Sequence, residues 1–192
     1  MINIHNRIII NGRGGSGKDV FADYLVSTYG YTKIAFADPI YEIANKYFGM
    51  KVKDRKLLQA IGEKFREIDP LIWVKITMRR ATEYDKVVIS DCRRKNEYIE
   101  TVINHNYLPI RINADLDIRI DRLEKRDGHY PNLSLLENDS ETGADGCKFL
   151  EVDNNGTFED LYKQIDFIQE QNWDDYILSI QREVFFKQYA SY

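Results

Sequence analysis

Two rhythms of hydrophobic and polar residues alternate along the chain. Short apolar runs such as Ile8-Ile9-Ile10 and Val87-Val88-Ile89 are continuous, as in strands buried on both faces. They predict strands at Arg7–Asn11, Lys33–Ala37, Lys86–Ser90, Leu108–Ile112 and Phe149–Val152. Between them the spacing becomes helical. Asp19–Tyr29 turns Val20, Leu25 and Val26 inward and stops at Gly30. Asp38-Pro39 and Asp69-Pro70 each open a helix, with aspartate suited to the cap and proline to the first turn. Asp54–Ile68 lines up Leu57, Leu58, Ile61, Phe65 and Ile68, and the helix after Pro70 carries Ile72, Trp73, Ile76 and Met78. Further helices are predicted at Asn96–Asn106, Asp115–Arg126, Thr157 to about Gln169, and Trp173 to Tyr189. Asp127–Gly146 keeps neither rhythm and reads as a mobile loop. Strands separated by helices predict an α/β fold, a three-layer sandwich around a five-stranded parallel sheet.

Composition narrows this picture. The 192 residues, 43% hydrophobic and 30% charged, suit one globular domain over 1–192, and no internal repeat or Pro/Gly linker divides them. A net charge of −4 argues against a nucleic-acid-binding face. Cys92 and Cys147 form no CxxC pair, so no zinc site is expected, and a reducing, cytoplasmic setting fits. His5, His105 and His129 are scattered. No apolar run reaches membrane-spanning length, and Met1–His5 does not resemble a secretory signal. In the tail, Trp173, Tyr176, Ile177, Ile180, Val184 and Phe185 form an apolar helical face that packs on the core or pairs two copies in a homodimer.

Candidate chemistry concentrates at Gly12–Asp19, which reads Gly-Arg-Gly-Gly-Ser-Gly-Lys-Asp between the first strand and the first helix. This is the phosphate-binding loop arrangement of nucleoside triphosphatases. Gly12, Gly14, Gly15 and Gly17 let the backbone curl so that its N–H groups approach phosphate oxygens. The helix beginning near Ser16 points its positive end there, and Lys18 reaches the β and γ phosphates. The usual Ser or Thr after the lysine is replaced by Asp19.

A second constellation, Asp91-Cys92-Arg93-Arg94, follows the third strand. In an open parallel sheet, ligands bind at the carboxyl ends of the strands, so this segment shares a rim with Gly12–Asp19, Asp38 and Asn154–Gly156. Asp91 there suits magnesium, and Arg93 suits a phosphate oxygen pair. The alternative is that both pair locally with each other or with Glu97. Asp38 likewise reads as a cap or as a substrate contact.

These segments resemble the bacteriophage deoxynucleoside monophosphate kinases. The resemblance is carried by Gly12–Asp19, Ala35-Phe36-Ala37-Asp38-Pro39-Ile40, Leu57-Leu58-Gln59-Ala60-Ile61-Gly62, Asp69-Pro70-Leu71-Ile72-Trp73-Val74, Ser90-Asp91-Cys92-Arg93 and Asn96-Glu97. It extends to about Gly156, and Gly-Lys-Asp recurs in that family and in the related phosphomevalonate kinases. The resemblance implies a P-loop, nucleoside monophosphate kinase-like fold, with an acceptor-binding region at about 38–84 and an arginine-bearing lid at about 115–147. It places Arg55, Gln59 and Arg66 over the acceptor nucleotide, Asn155 and Gly156 beside the donor adenine, and Ser140-Glu141 in a Ser-Glu motif after the lid. Arg119, Arg122 and Arg126 share one helix face, as lid arginines or as a solvated face with acidic partners. Arg66 contacts the acceptor phosphate or pairs with Glu63 or Asp69. Trp73 stacks on the acceptor base or belongs to the core. Asn155-Gly156-Thr157 is equally an ordinary turn and cap.

The expected activity is phosphoryl transfer from magnesium-ATP to a (deoxy)nucleoside 5′-monophosphate. Lys18, Arg93, Arg122 and Arg126 would be catalytic, and Asp19 and Asp91 would hold magnesium. Expected partners are small nucleotides, with neither nucleic acid nor membrane. The rivals are a kinase for dephospho-coenzyme A, phosphomevalonate or a sugar acid, and a nucleotide-binding regulatory protein without transfer.

Overall fold

The computed structural model describes residues 6–132 and 143–189. Its sheet contains β1 (Arg7–Asn11), β2 (Thr32–Ile34), β3 (Val87–Ile89), β4 (Leu108–Asn113) and β5 (Leu150–Asp153) in the spatial order β2-β3-β1-β4-β5. All four pairings are parallel, with Ile9 opposite Ile89, Ile10 opposite Ile110, Ile34 opposite Ile89 and Ile112 opposite Val152. The carboxyl ends of the strands therefore form one rim.

Alternation within β1 explains why its run is wholly apolar. Ile8 and Ile10 join Phe21 and Leu25 of α1 (Lys18–Tyr29), Leu161 and Ile165 of α7 (Phe158–Glu170), and Ile177 of α8 (Asp174–Tyr189). Ile9 faces the opposite layer, with Val74 and Ala81 of α4 (Ile72–Ala81) and Tyr98 and Val102 of α5, which begins at Lys95. Helices thus cover both faces, in three layers. A smaller core of Ile40, Ala44, Ile61 and Trp73 joins α2 (Asp38–Phe48), α3 (Arg55–Ile68) and α4. The remaining helix on the rim is α6 (Leu116–Asp127). Among the described residues no helix is long and apolar enough to cross a membrane.

Local chemistry sets the element ends. Asp54 caps α3 by accepting from the Leu57 N–H at 3.0 Å, and Thr157 with Asp160 forms a capping box on α7. Asp38 does not cap α2. Ala37 takes that place, and the Asp38 carboxylate reaches back to the Ala35 N–H at 2.7 Å. That contact helps end β2 at Ile34, short of the predicted Ala37. Asp69 instead ends α3, accepting from the Leu71 N–H at 2.9 Å. The predicted helix at Asn96–Asn106 is an α-turn over Lys95–Tyr98 that widens into a π-turn over Ile99–Ile103. Within it, the Thr101 hydroxyl donates to the carbonyls of Glu97 at 2.7 Å and Tyr98 at 3.3 Å.

Helical spacing overstates two inward faces. Val26 is exposed on α1, whereas Phe21 and Ala22 are buried. Ile68, the last residue of α3, is 84% exposed. Periodicity defines a face, but only positions opposite another element lose water. Replacing Ile10 by Ala should therefore lower the urea unfolding free energy by about 2–5 kcal/mol, and Ile68→Ala should change it by no more than ~0.5 kcal/mol. Equal losses at the two sites would contradict this core assignment.

Candidate active site

The loop from Gly12 to Gly17 leaves β1 and enters α1. Gly15 and Gly17 adopt φ of +79° and +96°, in the left-handed region that favours glycine, whereas Gly14 does not. A Cβ at Gly15 would lie 2.7 Å from the Arg119 carbonyl, and one at Gly17 would overlap the Asn154 side-chain amide. The loop therefore packs directly against the start of α6 and the turn after β5. Asn154 Nδ2 donates to the Ser16 carbonyl at 2.7 Å. The Ser16 hydroxyl is buried in the loop and has no hydrogen-bond partner among the described residues. The Lys18 ammonium folds back to donate to the carbonyls of Gly12 and of Arg13, the latter at 3.0 Å.

Beside the loop lies a cavity of about 470 Å³ whose lining includes Arg13, Ser16, Arg111, Asn113, Arg119 and Asp145. Arg13 pairs with Asp145 at 3.2 Å, and Arg111 Nη2 donates to the Ala144 carbonyl at 2.9 Å. These contacts tie the segment that begins again at residue 143 to the glycine loop. The start of α6 is tied to the turn after β5. There Arg122 Nη2 donates to the Asn154 carbonyl at 2.9 Å, and the Asp115 N–H donates to Asn155 Oδ1 at 2.7 Å. Gly156 lies in the same turn.

The three arginines of α6 do not share one environment. Arg119 is buried against the loop, Arg122 is half-buried, and Arg126 is 63% exposed, bonded through Nε and Nη2 to Asp127 at 2.7 and 2.8 Å. The Asp127 hydrogen bond raises the Arg126 pKa against the opposing effect of burial, and the Asp19 charge adds to the rise. Arg126 is thus within electrostatic reach of Asp19.

Asp19 is 77% exposed in its side chain and bonds Lys33 Nζ at 2.8 Å. Partial burial pushes its carboxyl up, but the Lys33 hydrogen bond and charge, with Lys18 and Arg126 behind them, bring it below the usual range. An ionised, exposed carboxylate is the hard oxygen donor that magnesium takes. Asp91 is engaged differently. Its two oxygens accept from the N–H groups of Phe36 at 2.7 Å and Ala37 at 3.0 Å, which fixes the turn after β2 to the end of β3. Burial raises its pKa, the two backbone hydrogen bonds and Arg93 oppose the rise, and Asp38 adds to it. Among the described residues no three His, Cys, Asp or Glu side chains form a metal cluster.

On the other side of the rim, two guanidinium groups converge. Arg66 Nη1 at 3.1 Å and Arg94 Nη2 at 2.8 Å both donate to one oxygen, Glu63 Oε1. Burial depresses the Arg66 pKa, and the Arg94 charge depresses it further. Behind them, Glu97 is only 4% exposed and its Oε2 accepts from the Arg93 N–H at 2.8 Å and the Arg94 N–H at 2.9 Å. Burial, together with the Asp91 charge, raises Glu97 to about 7 against the pull of those two N–H groups and of Arg66.

The predicted residues thus fall into one group around the glycine loop and α6, Gly12–Asp19 with Arg122, Arg126, Asn155 and Gly156, and another around the ends of β2 and β3, Asp38, Arg66, Asp91 and Arg93. Arg55 and Gln59 are exposed on α3, and Arg55 lies within electrostatic reach of Asp127. Trp73 is 2% exposed, and its indole N–H donates to the Gly62 carbonyl at 3.0 Å, so the core reading replaces base stacking. Ser140-Glu141 lies outside the described residues. Sequence reasoning gave Arg111 and Asp145 no role; it named Glu63 and Glu97 only as pairing partners, and Arg13, Arg94 and Asn154 only as members of selected segments.

The family described as an AAA domain matches residues 8–143. The uncharacterized protein ORF76 of Ictalurid herpesvirus 1 (strain Auburn) is 32% identical over 114 residues, covering 53% of this chain and 47% of that protein. The chain spans about half the length of this curated relative. A gluconokinase from Sinorhizobium meliloti 1021 superposes with TM-score 0.59 at 16% identity, covering 96% of this chain and 98% of that one. TT1252 from Thermus thermophilus gives 0.52 at 18% identity, covering 85% and 96%. At these identities the likeness is one of fold, the P-loop kinase-like sheet with its helices.

Glu97 also makes stability depend on pH. Its carboxyl is raised from an ordinary 4.5 to about 7 in the folded chain, so between those values the native state keeps a proton that the unfolded chain has released. Its contribution is full below about 4.5 and is lost as pH rises through about 7. Urea unfolding between these limits should show stability falling with pH in the wild type and a shallower fall in Glu97→Gln. Parallel curves would show that Glu97 does not titrate there.

Proposed function

The chain belongs to the AAA domain family, and we propose that it transfers a phosphoryl group from magnesium-ATP to the phosphate of a (deoxy)nucleoside 5′-monophosphate. The observation that carries this reading is the convergence of Arg66 and Arg94 on one carboxylate oxygen, Arg94 following the strand next to the one that feeds the Lys18 loop. Two guanidiniums meeting at one anionic oxygen suit a phosphorylated acceptor. The curled loop with its buried Ser16 hydroxyl suits the phosphates of the donor.

On this reading Lys18 and the loop hold the donor, and Arg66, Arg93 and Arg94 hold the acceptor in line with it. Region 38–84 would form the acceptor side and 115–147 the lid, of which 133–142 lie outside the described residues. Arg122 and Arg126 neutralise charge on the group in transit, Arg126 by moving from Asp127. The nucleophile is an acceptor phosphate oxygen. It is already anionic, so no general base is needed, and positioning with charge stabilisation carries catalysis. Asp19 would hold magnesium, with Asp91 contributing through its remaining lone pairs, and the ion supplies neutralisation of phosphate charge. Asn155 and Gly156 lie beside the donor base. The resemblance to bacteriophage enzymes and the partial likeness to a herpesvirus protein favour a viral nucleotide kinase acting in the cytoplasm on small nucleotides. The acidic net charge supports that class over a nucleic-acid partner.

The test offers magnesium-ATP with dTMP, dGMP, dCMP, dAMP, the ribonucleotides, dephospho-coenzyme A, phosphomevalonate and gluconate in separate reactions. ADP release and product mass are read. At least one nucleoside monophosphate should yield a diphosphate, and Lys18→Ala should lower that turnover about a hundredfold or more with little change in thermal unfolding. Transfer only to another acceptor would overturn the substrate assignment, and ATP binding without transfer would favour a regulatory protein.

A further inference from the structure

Asp91–Arg94 is held through its backbone from several sides. The Asp91 carboxylate grips the turn after β2. The Cys92 N–H donates to the Ile10 carbonyl at 2.9 Å, and the Cys92 carbonyl accepts from Asn11 Nδ2 at 2.7 Å. The last grip is Glu97 Oε2 on the N–H groups of Arg93 and Arg94. Asn96 Nδ2 secures the same short helix to the Pro70 carbonyl at 3.0 Å.

We propose that Glu97 is the positioning residue of the acceptor side, fixing the backbone of Arg93 and Arg94 so that their guanidiniums meet an acceptor phosphate in one geometry. A flexible arginine can recognise phosphate only weakly if its Cα also wanders. Anchoring both backbone N–H groups on one buried oxygen removes that freedom before ligand arrives. The carboxyl group suits the task because one of its oxygens accepts from both N–H donors, with or without the charge. Glu97 faces Asp91 and Cys92 from the end of β3 and Arg66 from α3, so it lies at the centre of this charge cluster. Its hydrogen bonds go to the backbone that carries the arginines, so it acts through them.

The inference rests on the proposed phosphoryl transfer, and its test separates the two. Glu97→Asp keeps the charge but withdraws the oxygen by one methylene. Glu97→Gln keeps an acceptor oxygen in reach. With the fastest nucleoside monophosphate of the panel, Glu97→Asp should raise the acceptor KM about tenfold or more and leave the ATP KM within about twofold. Glu97→Gln should recover most of the acceptor affinity. Arg94→Ala should raise the acceptor KM alone, and adding it to Glu97→Asp should give less than the product of the two effects. Hydrogen exchange at the Arg93 and Arg94 amides should quicken in Glu97→Asp and stay slow in Glu97→Gln. An unchanged acceptor KM with unchanged exchange in Glu97→Asp would overturn the proposal, as would equal losses for ATP and acceptor. Should the wild type use no nucleoside monophosphate, the transfer reading fails by itself, and quickened exchange in Glu97→Asp still supports the anchor while unchanged exchange overturns it.

Discussion

The Asn11 side chain, buried at the carboxyl end of the central strand, donates through Nδ2 to the Cys92 carbonyl at 2.7 Å and accepts at Oδ1 from Arg111 Nε at 2.7 Å. One amide thereby joins β1, the loop after β3 and β4 at the point where the glycine loop departs. The glycine loop begins one residue later, at Gly12, and the Asp91–Arg94 segment is held at Cys92. Arg111 carries the link onward to the Ala144 carbonyl and lies over the Phe149 ring at 4.3 Å. A buried amide left without its partners costs about 1–3 kcal/mol per group. The glycine loop and the Asp91–Arg94 segment are therefore fixed to each other, as the proposed transfer between two bound phosphates requires.

The cations around this rim have protein partners that resemble phosphate. Lys18 rests on loop carbonyls, Arg66 and Arg94 on Glu63, Arg126 on Asp127, and Arg13 on Asp145. The more exposed of these pairs, Arg126–Asp127 and Arg13–Asp145, are of the kind that adds little to stability, so releasing their carboxylates costs little. The arrangement keeps several positive charges close together without ligand. It also explains why Asp19 follows the lysine at tolerable cost, since Lys33 and Arg126 balance its charge.

Features set by neighbouring residues were legible in the sequence. The run Ile8-Ile9-Ile10 followed by Gly12–Asp19 announced a buried parallel strand and a phosphate loop, and Asp54 and Thr157 announced helix starts. Features set by distant residues were not. Asp38 and Asp69 carry the signature of caps, yet the Asp38 carboxylate turns back to the Ala35 N–H and the Asp69 carboxylate takes the Leu71 N–H just before α4, because local N–H groups on either side compete for them. Trp73 is equally suited to core and to base stacking, and only the Gly62 carbonyl opposite its indole decides. Asn11 and Glu63 look like ordinary polar residues until the fold brings the distant Cys92 and Arg94 against them. The family resemblance pointed to Asn96-Glu97 as a pair but could not say which backbone it holds.

We propose that the phosphates of donor and acceptor meet between the Lys18 loop and the Arg66–Arg94 pair. Calorimetry with adenosine linked through five phosphates to the acceptor nucleoside tests it most directly. A molecule filling both sides at once should bind about a hundredfold or more tighter than ATP alone, and Arg66→Ala should remove most of that excess while leaving ATP affinity nearly intact. Binding no tighter than ATP, or an excess that survives Arg66→Ala, would contradict the account.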